Sequence, residues 1–446
     1  MAGWQYKTNG ATSWTDITSD GEINTSGTFT GTVKVKGTLT LDEWFTEEGV
    51  EIGEQGLRMD GTPLSLARSF AQTVVVGEYG CVCGGDANES GLGEMNGPYT
   101  IDAYDTFDNI TTVRSSGGTY EGTSFVLGSK GFVCGGLWAN YEGASTSSKL
   151  LTIDSTLNTT VSSSNGHSGK APSSFVLGDK GYVCGTSSNG SAVSVIDSSG
   201  NKTTGTDLSQ GRGYSATFVI GGKGYVCGGN EYVGMTYADR SRSTVDIYDS
   251  SGNRTTGTAL SVARSRLCSF SIGERGFACG GAHYPNSSSA SYYSTVDVYD
   301  SSGNRTTGTS LSIGRTFSST FTLNNRGYVC GGIYHYYGIP VNTVDIYDST
   351  GNRTTGTSLS ESRGYMPSFV NGNKGYVCGG AIDYAHSNYS EHTSKIDIYY
   401  DEEIPYTIAK IPITAGTSYT LNGTGGTAAS SQVLTFNEKV SGTVEY

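Results

Sequence analysis

The chain has 446 residues, of which 28 are Lys or Arg and 41 are Asp or Glu, giving a formal net charge of -13. No basic cluster stands out, which excludes a nucleic-acid surface, because phosphate contacts need concentrated positive charge. No apolar run reaches the length of a membrane span, and a chain with 66 Gly, 8 Pro and abundant Thr, Ser, Tyr and Val has the chemistry of an all-β protein.

The sequence starts Met-Ala-Gly-Trp-Gln-Tyr, without the charged and apolar regions of a secretory signal. A chain starting there is expected to be made and to fold in a cytoplasm. Residues 1–50 read as a β-rich segment around Gly31–Leu41, with one short helix candidate at Leu41–Glu48.

Residues 51–400 carry one phrase seven times: Cys81-Val-Cys-Gly-Gly85, Phe132-Val-Cys-Gly-Gly136, Tyr182-Val-Cys-Gly185, Tyr225-Val-Cys-Gly-Gly229, Phe277-Ala-Cys-Gly-Gly281, Tyr328-Val-Cys-Gly-Gly332 and Tyr376-Val-Cys-Gly-Gly380. Successive cysteines of the phrase stand 43 to 52 residues apart. A period near fifty with a Gly-Gly strand end predicts a seven-bladed β-propeller, each unit being a four-stranded blade that cannot bury its faces alone.

The sixth unit serves as template. Arg315–Leu323 alternates through Phe317, Ser319 and Phe321 and reads as the innermost strand, followed by an Asn324–Gly327 turn. Gly327–Gly332 is the second strand, Ile333–Pro340 a variable loop, and Thr343–Asp348 the third strand. Ser349–Asn352 is a hairpin turn, and Arg353–Ser360 is the outer strand. The outer phrase follows units one to six but is missing after Lys395–Tyr400 in the seventh. A spare copy, Arg58-Met-Asp-Gly-Thr-Pro-Leu-Ser65, precedes the first unit. The ring is therefore expected to close by borrowing this N-terminal strand for the last blade, removing an open sheet edge. Residues 401–446 form a C-terminal β-rich segment, expected to join residues 1–50 in one attachment module.

Nine cysteines are present, seven at the repeated strand position. Equivalent positions in neighbouring blades lie beyond the ~7 Å that a disulfide spans, so these thiols read as small buried hydrophobes.

Antiparallel strands sort the connections onto two faces. One face has short, near-identical turns such as Ser250–Asn253 and Ser301–Asn304; their Asn-Arg-Thr reads as turn chemistry. The other face carries divergent loops with Trp138, Tyr141, Tyr232, Tyr237, His283, Tyr284, Tyr292, Tyr293, Tyr334, His335, Tyr336, Tyr337, Tyr384, His386 and Tyr389. Variable aromatic loops on a rigid scaffold suit a ligand-binding surface, although such rings also stiffen long loops. Five arginines, Arg68, Arg212, Arg264, Arg315 and Arg363, each stand fifteen residues before their unit's cysteine; Thr119 and Gly169 take that place in the other two. Near a central channel they would clamp an anion. The structural alternative, favoured for a repeat, pairs them with third-strand acids such as Asp246, Asp297 and Asp345.

Over residues 57–400 these marks resemble the kelch-repeat family: the Gly-Gly pairs, the Tyr of Val-Asp-Ile-Tyr-Asp, and the arginine opening each blade. The chain departs from that family in the fourth strand, where Thr-Gly-Thr replaces the usual Trp. Some family members are copper-radical oxidases, but the Cys, Tyr and His placement here assembles no such centre. No triad order, phosphate loop or zinc spacing is present, and loop-face acids are sparse (Asp86, Glu89, Glu94, Glu231, Asp239, Asp383). The expectation is a non-catalytic protein without cofactor or metal. The Gly/Thr/Ser-rich ends and unpaired cysteines resemble structural proteins of tailed bacteriophages. That resemblance implies a virion appendage binding the host surface, with glycans the leading ligand, and meeting other virion proteins through its ends. A homo-oligomer is compatible with this. The alternatives are a kelch protein-interaction module of a bacterial cell and a purely structural virion part.

Overall fold

The computed structural model describes residues 57–87, 100–115, 119–140, 143–187, 190–232, 239–286, 289–335, 338–383 and 391–400, together with the backbone of short strands in the two terminal segments. The helix candidate at Leu41–Glu48 lies outside the described residues. The described elements are strands and turns, without a helix.

Seven antiparallel four-stranded sheets form the ring, each ordered from its first to its fourth strand. Blade one consists of Gln72–Val76, Tyr79–Cys83, Thr100–Tyr104 and Ile110–Arg114. Blade seven takes Ser368–Asn371, Lys374–Cys378 and Ile396–Tyr400, then reaches back for Leu57–Asp60. The borrowed strand pairs Asp60 with Asp397 and Leu57 with Tyr400. The N-terminal phrase thus completes the last blade.

First strands of successive blades lie side by side, and Ser368–Asn371 meets Gln72–Val76 to close the circle. The first strands alternate between buried and half-buried residues, as in Gln72–Val76 and Ser319–Leu323. Second strands such as Lys223–Cys227 are buried almost continuously, because both faces meet neighbouring blades. Phe270 of blade five packs onto Gly327 of blade six so closely that a Cβ there would stand 2.0 Å from the ring. The same approach recurs at Gly181, Gly224, Gly276 and Gly375, which is why a glycine stands immediately before the phrase. The Gly-Gly pair has another cause: Gly331 and Gly332 have φ of +53° and +116°, a conformation that disfavours a Cβ.

The cysteines of the phrase are buried and free, and burial pushes the Cys134 thiol up to about 12. The third-strand tyrosines tie blades together: Tyr248 donates to the Thr206 carbonyl at 2.9 Å and Tyr347 to that of Thr309 at 2.9 Å.

Residues 1–52 and 402–446 form a second compact unit. Within it Gly31–Lys34 pairs in parallel with Thr443–Glu445, and Thr38–Thr40 pairs with the hairpin strand Thr417–Gly425.

Candidate functional site

The five repeated arginines are fully buried inside the blades, away from any channel surface. Each Nη2 meets an aspartate of its own blade's third strand: Arg68–Asp102 at 2.9 Å, Arg212–Asp246 at 2.8 Å, Arg264–Asp297 at 2.9 Å, Arg315–Asp345 at 2.9 Å and Arg363–Asp397 at 2.8 Å. In four blades the other carboxylate oxygen takes an outer-strand arginine, such as Arg353 on Asp345 at 2.7 Å and the borrowed Arg58 on Asp397 at 2.6 Å; in blade one the Thr112 hydroxyl donates to Asp102 at 2.8 Å instead. Backbone N–H groups of Ser261 and Ser312 add bonds of 3.0 Å to Asp297 and Asp345 from the preceding connection. Where the arginine is absent the acid is absent too. The register partners of Val133 and Val183 in blades two and three are Leu151 and Ser194. In blade three the buried His167 fills the gap, with Nδ1 2.9 Å from Ser194 Oγ and Nε2 3.1 Å from the Gly185 carbonyl. These arginines are committed to the frame and offer no anion clamp.

Two residues after each opening position the chain enters the left-handed region. Phe70, Glu121, Ala171, Tyr214, Arg266, Phe317 and Tyr365 have φ between +50° and +59°. A non-glycine residue there costs about 1 kcal/mol or more. The reading of Phe317 as part of an alternating strand is thereby corrected: the strand starts at Ser319, and Phe317 turns out of it. The N–H of each of the seven donates to the carbonyl of its counterpart one blade back, from Arg266 to Tyr214 at 3.1 Å through to Phe70 to Tyr365 at 3.0 Å, which closes the loop. The preceding residues are pinned by single bridges, such as Thr316 with Ile333. That second anchor keeps the left-handed turn in place.

These side chains converge on the axis at the divergent face. Tyr365 lies 4.1 Å from both Phe70 and Phe317, centroid to centroid, and Phe70 reaches Phe317 across the intervening blade at 6.3 Å. Tyr214 meets Phe317 edge-on at 6.0 Å and donates to Glu121 Oε2 at 3.2 Å; Lys170 Nζ pairs with the same oxygen at 3.0 Å. One side of the axial cluster is therefore aromatic and the other ion-paired. No pattern in a single repeat marks this ring, since its residue type changes from blade to blade.

Around the axis the expected loops are largely hairpins. Ile333–Pro340 is not a loop: the second and third strands of blade six extend to Tyr334 and Ile339, which pair, with the turn at His335 and Gly338. Blade five has Ala282–Asn286 against Ser289–Tyr292. His283 and Tyr284 lie on the first arm, Tyr292 ends the second, and Tyr293 follows it. Trp138 and Tyr232 lie in the short strands Leu137–Asn140 and Asn230–Tyr232. Tyr141, Tyr237, Tyr336, Tyr337, Tyr384, His386 and Tyr389 lie outside the described residues, as do Glu89 and Glu94.

The described aromatics of blades five and six touch. Tyr284 and Tyr292 meet edge to face at 6.0 Å with hydroxyls 3.1 Å apart, and Tyr292 meets Tyr334 at 6.4 Å. Arg266 joins them to the axis, its Cζ 4.4 Å from the Tyr284 centroid and 5.1 Å from that of Tyr214. Tyr334 is 39% exposed and Ile339 49%. Glu231 is held by Arg242.

The loop-face acid Asp86 interacts with His392, a histidine between the second and third strands of blade seven. Burial raises the Asp86 carboxyl, an effect opposed by His392, and burial lowers His392 in turn. Both ring nitrogens of His392 are buried without a hydrogen-bond partner among the described residues. Burial also pushes Tyr120 up to about 12, with Glu121 and Asp86 adding to it. Among the described residues no three His, Cys, Asp or Glu side chains converge as a metal site.

No family model matches this sequence, and no curated protein sequence does. Solved structures match in number: 486 chains resemble this one. Among them is one titled "Structure of YjhT", 12% identical, with a TM-score of 0.47, covering 83% of this chain and 99% of that one. The chain is a seven-bladed β-propeller.

Proposed function

We propose that this protein is a non-catalytic binding propeller of the kelch type, a virion appendage that engages host-surface glycans through its divergent face. The observation that carries the reading is the partly exposed cluster of Tyr284, Tyr292 and Tyr334, held beside the axial aromatics by Arg266. Aromatic rings with hydroxyl tips give a sugar both a stacking surface and hydrogen-bond partners, and rigid hairpins lower the entropy lost on binding. Support for the virion role comes from a compact β unit made of both chain ends, outside the ring, suited to anchoring. The five buried arginines do not support anion capture, since each is buried and ion-paired with an aspartate.

A glycan array probed with the full chain tests this reading. Binding of the longest retained glycans that falls by about three- to tenfold in Tyr334→Ala, together with the protein's presence in purified particles, is the expected result. Presence in particles without any glycan or host-cell binding would instead favour a structural part. Capture of a defined bacterial protein, with glycans ignored, would favour the interaction-module alternative.

A further inference from the structure

Among the described residues, the aromatic side chains of the divergent face that touch one another run from the axis to blades five and six. At the axis the half-buried Phe317 packs at 4.1 Å, tilted by 36°, on Tyr365, which is itself buried, so Phe317 and Phe70 are the rings open to a ligand there. Arg266 stands 5.8 Å from the Phe317 centroid and 4.4 Å from that of Tyr284. From Tyr284 the path steps 6.0 Å to Tyr292 and 6.4 Å to Tyr334, where the exposed Ile339 pairs with it across the hairpin. Blades two and three contribute Glu121 and Ala171 to the axial ring instead, so among the described residues the contacts from the axis outward run through blades five and six.

We propose that this radial path is a binding track for an extended oligosaccharide, with its inner end at the propeller axis and its outer end at the hairpin of blade six. The inference rests on the glycan-binding reading above and deepens it, from a sugar to a chain of sugars. Three features favour a chain. The steps between groups are on the scale of one pyranose ring. The ring planes turn along the path, by 36°, 76° and 62° at its aromatic contacts, as a twisting polymer requires. Both ends of the track belong to elements fixed by backbone bonds, the axial ring and the paired strands of blade six, so the subsites keep their spacing.

The test is calorimetric titration of the full chain with size-fractionated fragments, one to six sugars long, of the polysaccharide that the array retains. Affinity is expected to rise by about three- to tenfold per added sugar over at least three steps and then to level off. Tyr334→Ala removes the last step and leaves the shortest fragments bound as before; Tyr334→Phe keeps the whole ladder. Arg266→Gly, which relaxes a φ of +54°, weakens every length beyond the inner subsite. Equal affinity for one and six sugars overturns the track while leaving the binding face intact. Equal weakening of all lengths by Tyr334→Ala also overturns it. An array that retains no glycan overturns both the track and the reading beneath it.

Discussion

The Oγ1 hydroxyl of Thr73 in blade one donates to the carbonyl of Ser368 in blade seven at 2.7 Å. It is one of seven equivalent bonds. Ser368 donates to Thr320, Thr320 to Ser269, Ser269 to Thr217, Thr217 to Ser174, Ser174 to Ser124, and Ser124 to Thr73, at 2.6 to 2.9 Å. Every first strand therefore carries a hydroxyl at the same level. The circle closes on itself without a special residue at the seam.

Closure depends on both this circle and the borrowed outer strand. Thr73→Val should cost about 1 kcal/mol, the worth of one hydrogen bond, like Thr320→Val at an internal joint. Removing residues 1–60 is different in kind, since it strips Ile396–Tyr400 of its outer partner and bares a sheet edge. Chemical denaturation of the truncated chain should show a separate early loss of blade seven and aggregation. A single unchanged transition would refute closure by the borrowed strand.

The buried pairs make an asymmetric prediction. Asp345→Ala leaves the Arg315 charge buried and unmatched and should cost about 3–5 kcal/mol. Arg315→Met strands the aspartate, though Arg353 still reaches it at 2.7 Å, so its cost should be smaller. The double variant Arg315→Met/Asp345→Leu should be more stable than Asp345→Ala, as blade two already manages with Thr119 and Leu151. Urea midpoints of the four proteins decide the matter.

The ring and its closure were readable because the repeat is a counting signal: seven phrases, six downstream outer strands and one spare upstream. The Arg–Asp frame was readable as one of two options, since spacing fixes the strand position but not the inward direction. The axial ring was not readable. Phe317 sits in phase with Phe321, so period two assigns it to the strand, and the left-handed turn is held by N–H groups bonding to the preceding blade. Residues as unlike as Ala171 and Arg266 occupy one backbone geometry there, and composition carries no trace of it. The hairpin of blade six was hidden for a related reason, because Tyr- and His-rich stretches suit strand and loop alike.

Two glycine substitutions separate space from backbone conformation. Gly327→Ala drives a methyl into Phe270 across a blade interface that has no room to yield, and should cost several kcal/mol, in the range of overpacked cores. Gly273→Ala meets nothing within 4 Å but has a φ of +54°. Its cost should be only about 1 kcal/mol, the price of a left-handed non-glycine residue. Thermal melts that rank the two in reverse would contradict the packing.

Histidine 167 gives the fold a pH dependence with a definite sign. Burial lowers its pKa below the ordinary 6.5, with Lys202 adding to the effect and the Gly185 carbonyl opposing it. The unfolded chain therefore binds the proton first. The stability contributed by neutral His167 is complete above ~6.5 and is lost as pH falls below that value, by at most ~1.4 kcal/mol per unit. His167→Gln, which can still bond Ser194 and Gly185, should remove that part of the slope below pH ~6.5. The turn carboxylates act in a lower window. Asp197 and Asp249 are held below the usual range by N–H groups of Asn201 and Asn253, so their contribution, complete above the ordinary ~3.9, drains only as pH falls further. Melting temperatures of wild type and His167→Gln should therefore diverge as pH falls below ~6.5, and run parallel only once pH has passed below the lowered pKa of the folded state. Identical profiles across the whole range would remove His167 from the account.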